Sequence, residues 1–383
     1  MKFTAGLLIF ATLFERGKIS LFMKVPQNLL LFIIILLMFL SIPFAISQGQ
    51  SLSGCLGFCK IVIIYLIFLN LVQKPRDLKI VMWVIFLSTI HIVFLSIKFY
   101  VSGQTESRFG IERSGFYGDQ NDLASFLITT IPLLVGLIQL SKSFVTKIVL
   151  GCGIGAYLLG TLATQSKGGL IGLLVVGLGY IIKSNKKLTA IMLCGFMAVM
   201  LYTIIPASAF HRFSSITSIE TADSASLRIE LWKSGLKMVK DNPLFGVGVN
   251  CFPRAIGTIY NLPFRGYQQG WFTAHNSFIL IMAEVGIFAF LCYILLYYVT
   301  FKDLKMIKTH LLNANSAEET KELFILTKSF ELSLIGFTVC SLFLSHTYRI
   351  YLYIIIASII IIKQWAKNSV SPPQVDVGLE PKL

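Results

Sequence analysis

Arg228 and Trp232 stand four residues apart in the stretch SASLRIELWKSGLKMVK (residues 224–240), and His275 opens the apolar run that follows, in T-A-H-N-S. An arginine is a permanent cation whose planar fork of N–H donors matches a phosphate. A histidine exchanges a proton near neutral pH. The pair therefore offers a fixed cation and a group able to exchange a proton. The blander reading is that His275 merely starts a helix. Lys233, Lys237 and Lys240 read most simply as a solvated strip against lipid headgroups.

Other residues could serve the same chemistry. In R-S-G-F-Y-G-D-Q-N-D-L-A (residues 113–124), Arg113 can bind an anionic headgroup and Asn121 a sugar hydroxyl. Asp119 and Asp122 offer oxygen ligands, but two acids are too few to argue for a metal. Ser166–Lys167–Gly168–Gly169 puts a cation and two glycines in a tight hairpin, where Lys167 is either an end-charge or an anion ligand. Trp232, Asn276 and Arg265 are further candidates for holding substrate. Tyr260, Phe264, Tyr267 and Trp271 could stack on sugar faces, or form an interfacial aromatic belt. Glu284 lies nine residues after His275, roughly 12–14 Å along a helix, and on a straight helix faces nearly away from it, so another element should hold it. The turn Pro243–Leu244–Phe245–Gly246–Val247–Gly248 follows no strand, so its glycines suggest a close backbone approach rather than a nucleotide.

Composition decides what positions these residues. The chain has 383 residues, 55% hydrophobic and 13% charged, with a mean hydropathy of +0.77. Soluble domains run at roughly 45–50% apolar and about 25% charged. A water-soluble core is excluded, and an all-α integral membrane protein remains. Apolar runs long enough to cross a bilayer fall near 27–46, 52–72, 78–97, 121–140, 148–164, 168–182, 188–206, 276–300, 329–345 and 350–362, about ten transmembrane helices. Residues 3–14 read as an interfacial segment with no cleavage site behind it.

Of the 33 Lys and Arg, 20 fall on one set of connections, and the opposite short loops hold few. That alternation predicts a multi-pass protein of the cytoplasmic (inner) membrane with both termini in the cytoplasm. It divides the chain into a bundle of seven spans (1–206), one large extracytoplasmic loop containing short helices (207–275), a bundle of three spans (276–370) and a cytoplasmic tail (371–383). The net charge of +15 is then a matter of loops, and no nucleic-acid partner is implied. Within the loop, helical periodicity spans 224–240, with Leu227, Leu231 and Val239 on its apolar side and a stop at Pro243. The seven cysteines show neither a disulfide framework nor zinc spacing.

The order of these pieces resembles the O-antigen ligase and polymerase family. R-S-G-F-Y-G-D-Q-N-D-L-A-S-F-L, T-Q-S-K-G-G-L, S-L-R-I-E-L-W-K-S-G-L, D-N-P-L-F-G-V-G and A-H-N-S-F-I-L-I-M-A-E-V-G carry the resemblance over roughly residues 105–300. It implies a cofactor-free, metal-independent membrane glycosyltransferase that moves a glycan from a polyprenyl diphosphate carrier to an acceptor hydroxyl. Its partners would be that donor, a glycan or lipid-linked acceptor, membrane lipids and other polysaccharide assembly proteins. Arg228 would correspond to the arginine that holds the diphosphate, and His275 to the general base or acceptor-orienting histidine. The chain departs from the family at Ser166–Lys167–Gly168, where S-R-G is usual, and at Asp119–Gln120–Asn121, where an N-P-N-type signature is usual. The slight preference is for a polymerase; a ligase shares the chemistry. A flippase or transporter is the rival from another class, and it usually shows internal repeats that are not visible here.

Overall fold

The computed structural model describes residues 25–101, 120–184, 219–260, 271–313 and 318–368, with isolated helical positions between 188 and 195. Among the described residues the elements are helices and turns, without strands. In chain order they are α1 (Pro26–Ser41), α2 (Gln48–Leu71), α3 (Pro75–Val101), α4 (Gln120–Leu140), α5 (Phe144–Ala163), α6 (Lys167–Ile182), α7 (Ile219–Asp241), the short α8 (Phe252–Ala255) running into a π-turn (Ile256–Tyr260), α9 (Ser277–Val285), α10 (Ile287–Leu312), α11 (Glu318–Ser341) and α12 (Ile350–Asn368).

Eight of these helices are long and apolar enough to cross a membrane, and the protein is an all-α polytopic membrane protein. α6 is apolar but has 16 residues, about 24 Å at the helical rise. The expected span at 188–206 falls largely outside the described residues, as do Arg113 and Arg265. The expected single span at 276–300 is corrected. It divides at Gly286, whose φ of 95° ends the nine-residue α9 before α10 begins. Glu284 therefore sits at the end of a short helix rather than deep inside a long one.

α4, α11 and α12 are buried along most of their length, whereas α1, α2, α3 and α5 turn leucine, isoleucine and phenylalanine outward. Lipid tails are as apolar as those side chains, so close packing rather than hydrophobicity selects which helices touch. Glycine permits it: a Cβ on Gly172 would stand 2.7 Å from the Cys340 sulfur, and one on Gly336 2.8 Å from Val176. α6 and α11 thus meet nearly backbone to backbone.

The two ends of the bundle differ in charge. At one end, Lys79 pairs with Glu322 at 2.9 Å, Lys142 with Glu318 at 3.1 Å, and Lys363 with Asp303 at 2.7 Å. Lys183 and Lys308 share Glu331. The opposite end gathers the starts of α2, α4, α6, α9 and α12 with α7, and the candidate residues lie there.

Candidate functional site at the α7–α9 end

α7 covers the 224–240 stretch and extends it to Ile219–Asp241. Leu231 and Met238 are fully buried, and Leu227 and Val239 pack beside them against α9 and Phe252. Its apolar side is thus laid on α9. Gly235 allows the approach, since a Cβ there would lie 2.5 Å from Ile279. Trp232 seals the contact by donating its indole N–H to the Ala274 carbonyl at 3.1 Å. Arg228, four residues earlier and half-buried, shares that face. The helix bearing Arg228 is therefore fastened to the residue immediately before His275.

His275 is half-buried and adopts φ 47°, a left-handed conformation unusual for a side chain with a Cβ. Non-glycine residues in this region carry a strain that the surroundings must hold in place. Here they do so on both sides, through Trp232 on Ala274 and through Asn276. Asn276 caps α9, its side-chain oxygen accepting from Phe278 N at 2.9 Å and Ile279 N at 3.0 Å. Its amide nitrogen donates to the Leu342 carbonyl at 3.0 Å. With both its oxygen and one N–H engaged, that amide anchors the start of α9.

The glycine turn explains the break in the apolar run. Val247 N and Gly248 N donate to the Ala283 and Glu284 carbonyls at 2.9 Å each, and Ile287 N donates to the Pro243 carbonyl at 2.9 Å. The turn thus satisfies the groups that the end of α9 and the start of α10 leave open. The close approach inferred from the glycines is real: a Cβ on Gly286 would fall 2.1 Å from the Leu244 oxygen, and one on Gly246 2.4 Å from the Glu284 carbonyl carbon. Glu284 receives Phe252 N at 3.1 Å and the Tyr348 hydroxyl at 2.9 Å. It braces the loop on the 342–349 turn.

That turn carries residues whose roles sequence reasoning missed. His346 is fully buried, with Nε2 2.7 Å from an Asp122 oxygen and Nδ1 3.3 Å from the Ser125 hydroxyl. A carboxylate only accepts, so Nε2 carries the proton that lies between them. Arg349 pairs with the other Asp122 oxygen. His275 lies within electrostatic reach of the same carboxylate. Ser277 stitches the turn to α9, donating to the Leu344 carbonyl at 2.6 Å and accepting from His346 N at 2.7 Å. The sequence signal was a polar S-H-T-Y-R turn between two apolar helices, without any hint of its partner on α4.

Asn121 and Lys167 join the same end. Asn121 accepts a hydrogen bond from the Ser166 hydroxyl at 2.7 Å, and Ser166 caps α6 by accepting from Gly169 N at 3.1 Å. Lys167 is exposed at the first position of α6. Gly168 packs under Phe343 of the turn, where a Cβ would meet the phenylalanine at 3.1 Å. Both Asp122 oxygens already face positive or N–H donors, which leaves Asp122 poorly suited to a cation; Asp119 lies outside the described residues. Away from this cluster, burial and the Asp241 carboxylate, which accepts its O–H at 2.9 Å, push the Tyr260 hydroxyl up to about 12.

Residues 152–294, which span Lys167, Arg228, Trp232, His275 and Asn276, match the family model described as O-antigen ligase. Over that stretch the chain is similar to the O-antigen ligase family. The match starts inside α5 and ends inside α10, so it takes in α6, α7, the glycine turn and α9 but neither Asp122 nor the 342–349 turn. No curated protein matches the chain. That similarity and the fold indicate an O-antigen ligase-like membrane enzyme.

Proposed function

We propose that the protein transfers a glycan from a polyprenyl diphosphate carrier to an acceptor hydroxyl, at the extracytoplasmic face of the cytoplasmic membrane. The observation that carries this reading is the Trp232 hydrogen bond to Ala274, which binds the Arg228 helix to the His275 segment. The lysine-rich end of the bundle faces the cytoplasm by the positive-inside rule. The Arg228–His275 end then faces outward, with the lipid tail in the bilayer.

In the reaction, the acceptor oxygen bonds to the anomeric carbon of the donor sugar as that carbon's bond to the diphosphate oxygen breaks. His275 takes the acceptor's proton, a contribution of about 10²–10⁴-fold for a well-placed base. Arg228 faces the charge that grows on the departing polyprenyl diphosphate, an interaction stronger in the transition state than before it. Trp232 positions the arginine's helix, and Lys167 adds positive charge without the bidentate fork of an arginine. No metal takes part.

Arg228→Ala and His275→Ala should each abolish glycan assembly while the protein still inserts in the membrane. Normal long-chain glycan from either variant would remove that residue from the mechanism. The acceptor we favour is a second lipid-linked glycan, which makes the enzyme a polymerase. Gene deletion tests this: single repeat units left on the acceptor support the polymerase, accumulated lipid-linked polymer indicates a ligase, and units trapped inside indicate a flippase.

A further inference from the structure

Arg349 is unusual for a cation. It directly precedes Ile350, the first residue of α12, where the positive end of the helix dipole disfavours positive charge. Lys167 sits one position further in, at the first residue of α6, where the dipole is also unfavourable. Both helix starts lie at the end that holds His275, and unbonded backbone N–H groups point outward from such starts.

The arginine is held rather than hidden. One guanidinium nitrogen donates to Asp122, the side chain keeps 34% of its exposure, and Asp122 keeps 14%. Asp122 is itself fixed by the wholly buried His346, which Ser277 and Ser125 hold from α9 and α4. The rest of Arg349's fork remains available, and Asp122 is its hydrogen-bond partner among the described residues. Asp122 stands against His346 and Arg349 and within electrostatic reach of His275. A fork anchored at one end and exposed at the other, beside a helix N-terminus, is prearranged for an anion.

We propose that Arg349 is a second ligand for the diphosphate of the lipid carrier, with Asp122 and His346 as the residues that position it. This rests on the transfer reading above and extends it. Arg228 approaches the diphosphate from the loop helix α7, and Arg349 from the membrane bundle. Two cations on independent elements select a diphosphate over a monophosphate, because each can take one phosphoryl group.

The test uses the full chain in detergent with farnesyl diphosphate and farnesyl monophosphate as probes. Arg349→Ala should weaken diphosphate binding about 10- to 100-fold, the range for losing a hydrogen bond to a charged group, with a smaller effect on the monophosphate. Arg349→Lys, which keeps the charge opposite Asp122, should lose most of the preference between the probes. Asp122→Asn should weaken diphosphate binding in the wild type but add little to Arg349→Ala, a non-additivity that a merely structural carboxylate would not show. Wild-type affinity and selectivity in Arg349→Lys, or in a normally folded Arg349→Ala, would overturn the proposal. If Arg228→Ala then lost binding, the transfer reading would stand without it. A wild-type chain with no affinity for farnesyl diphosphate would refute both.

Discussion

Trp232→Phe tests whether the α7–α9 contact sets the rate. The substitution keeps an aromatic ring in the half-buried slot and removes the indole N–H that reaches Ala274 at 3.1 Å. The lost bond alone is worth about 0.5–1.5 kcal/mol, but the partner it abandons matters more. Ala274 is fully buried, so its carbonyl would be left without a donor, at a cost of about 1–3 kcal/mol. That cost falls on the docked arrangement, in which the Arg228 helix lies against the His275 segment. Each 1.4 kcal/mol is about tenfold in a population or rate. Transfer from a polyprenyl-diphosphate-linked donor by the purified variant should therefore fall about 5- to 100-fold. Lys233, Lys237 and Lys240 should at the same time become quicker to cleave with trypsin, as α7 leaves α9 more often. Trp232→Ala, which also loses the ring's packing, should be worse on both measures. Full activity with unchanged trypsin sensitivity in both variants would refute the argument that this contact places Arg228 beside His275.

Gly286→Ala should be among the most damaging small substitutions in the chain. Its Cβ would fall 2.1 Å from the Leu244 oxygen at a φ of 95°, so the glycine turn must leave the α9–α10 junction; a melting point several degrees lower and loss of transfer would show it. Asn276→Asp retains the oxygen that caps α9 but loses the donor to Leu342. Asn276→Ala loses both, and should cost about 1 kcal/mol more in thermal unfolding of the detergent-solubilised protein. Incubation of purified enzyme with EDTA should leave transfer unchanged; a loss restored by Mg²⁺ or Mn²⁺ would reinstate a metal near Asp122.

Much of the architecture was legible because the bilayer simplifies the code. A backbone in hydrocarbon must satisfy its own hydrogen bonds, so apolar runs of sufficient length read as helices. α1 to α5 follow those runs closely. α7 was legible for a different reason, its apolar side recurring at helical spacing before a proline stop. The close approach at Gly246 and Gly248 was also readable, since glycine there has few other uses. The junction at Gly286 was not: the run from Ser277 into α10 is apolar on both sides of one glycine, and hydropathy does not register a turn that comes from another segment to bond the broken ends.

The sequence by itself determined that this is a helical membrane protein, where most of its helices lie and which end collects the lysines. Tertiary structure alone decided that Asp122 meets His346 and Arg349 more than 220 residues away. It also gave Glu284 to a loop amide and a tyrosine, and committed Asn276 to a cap. The physical reason is one of range. Helix formation and membrane burial depend on residue type and on neighbours within a few turns. Which helix ends converge depends on how the helices pack together, and no local pattern records that.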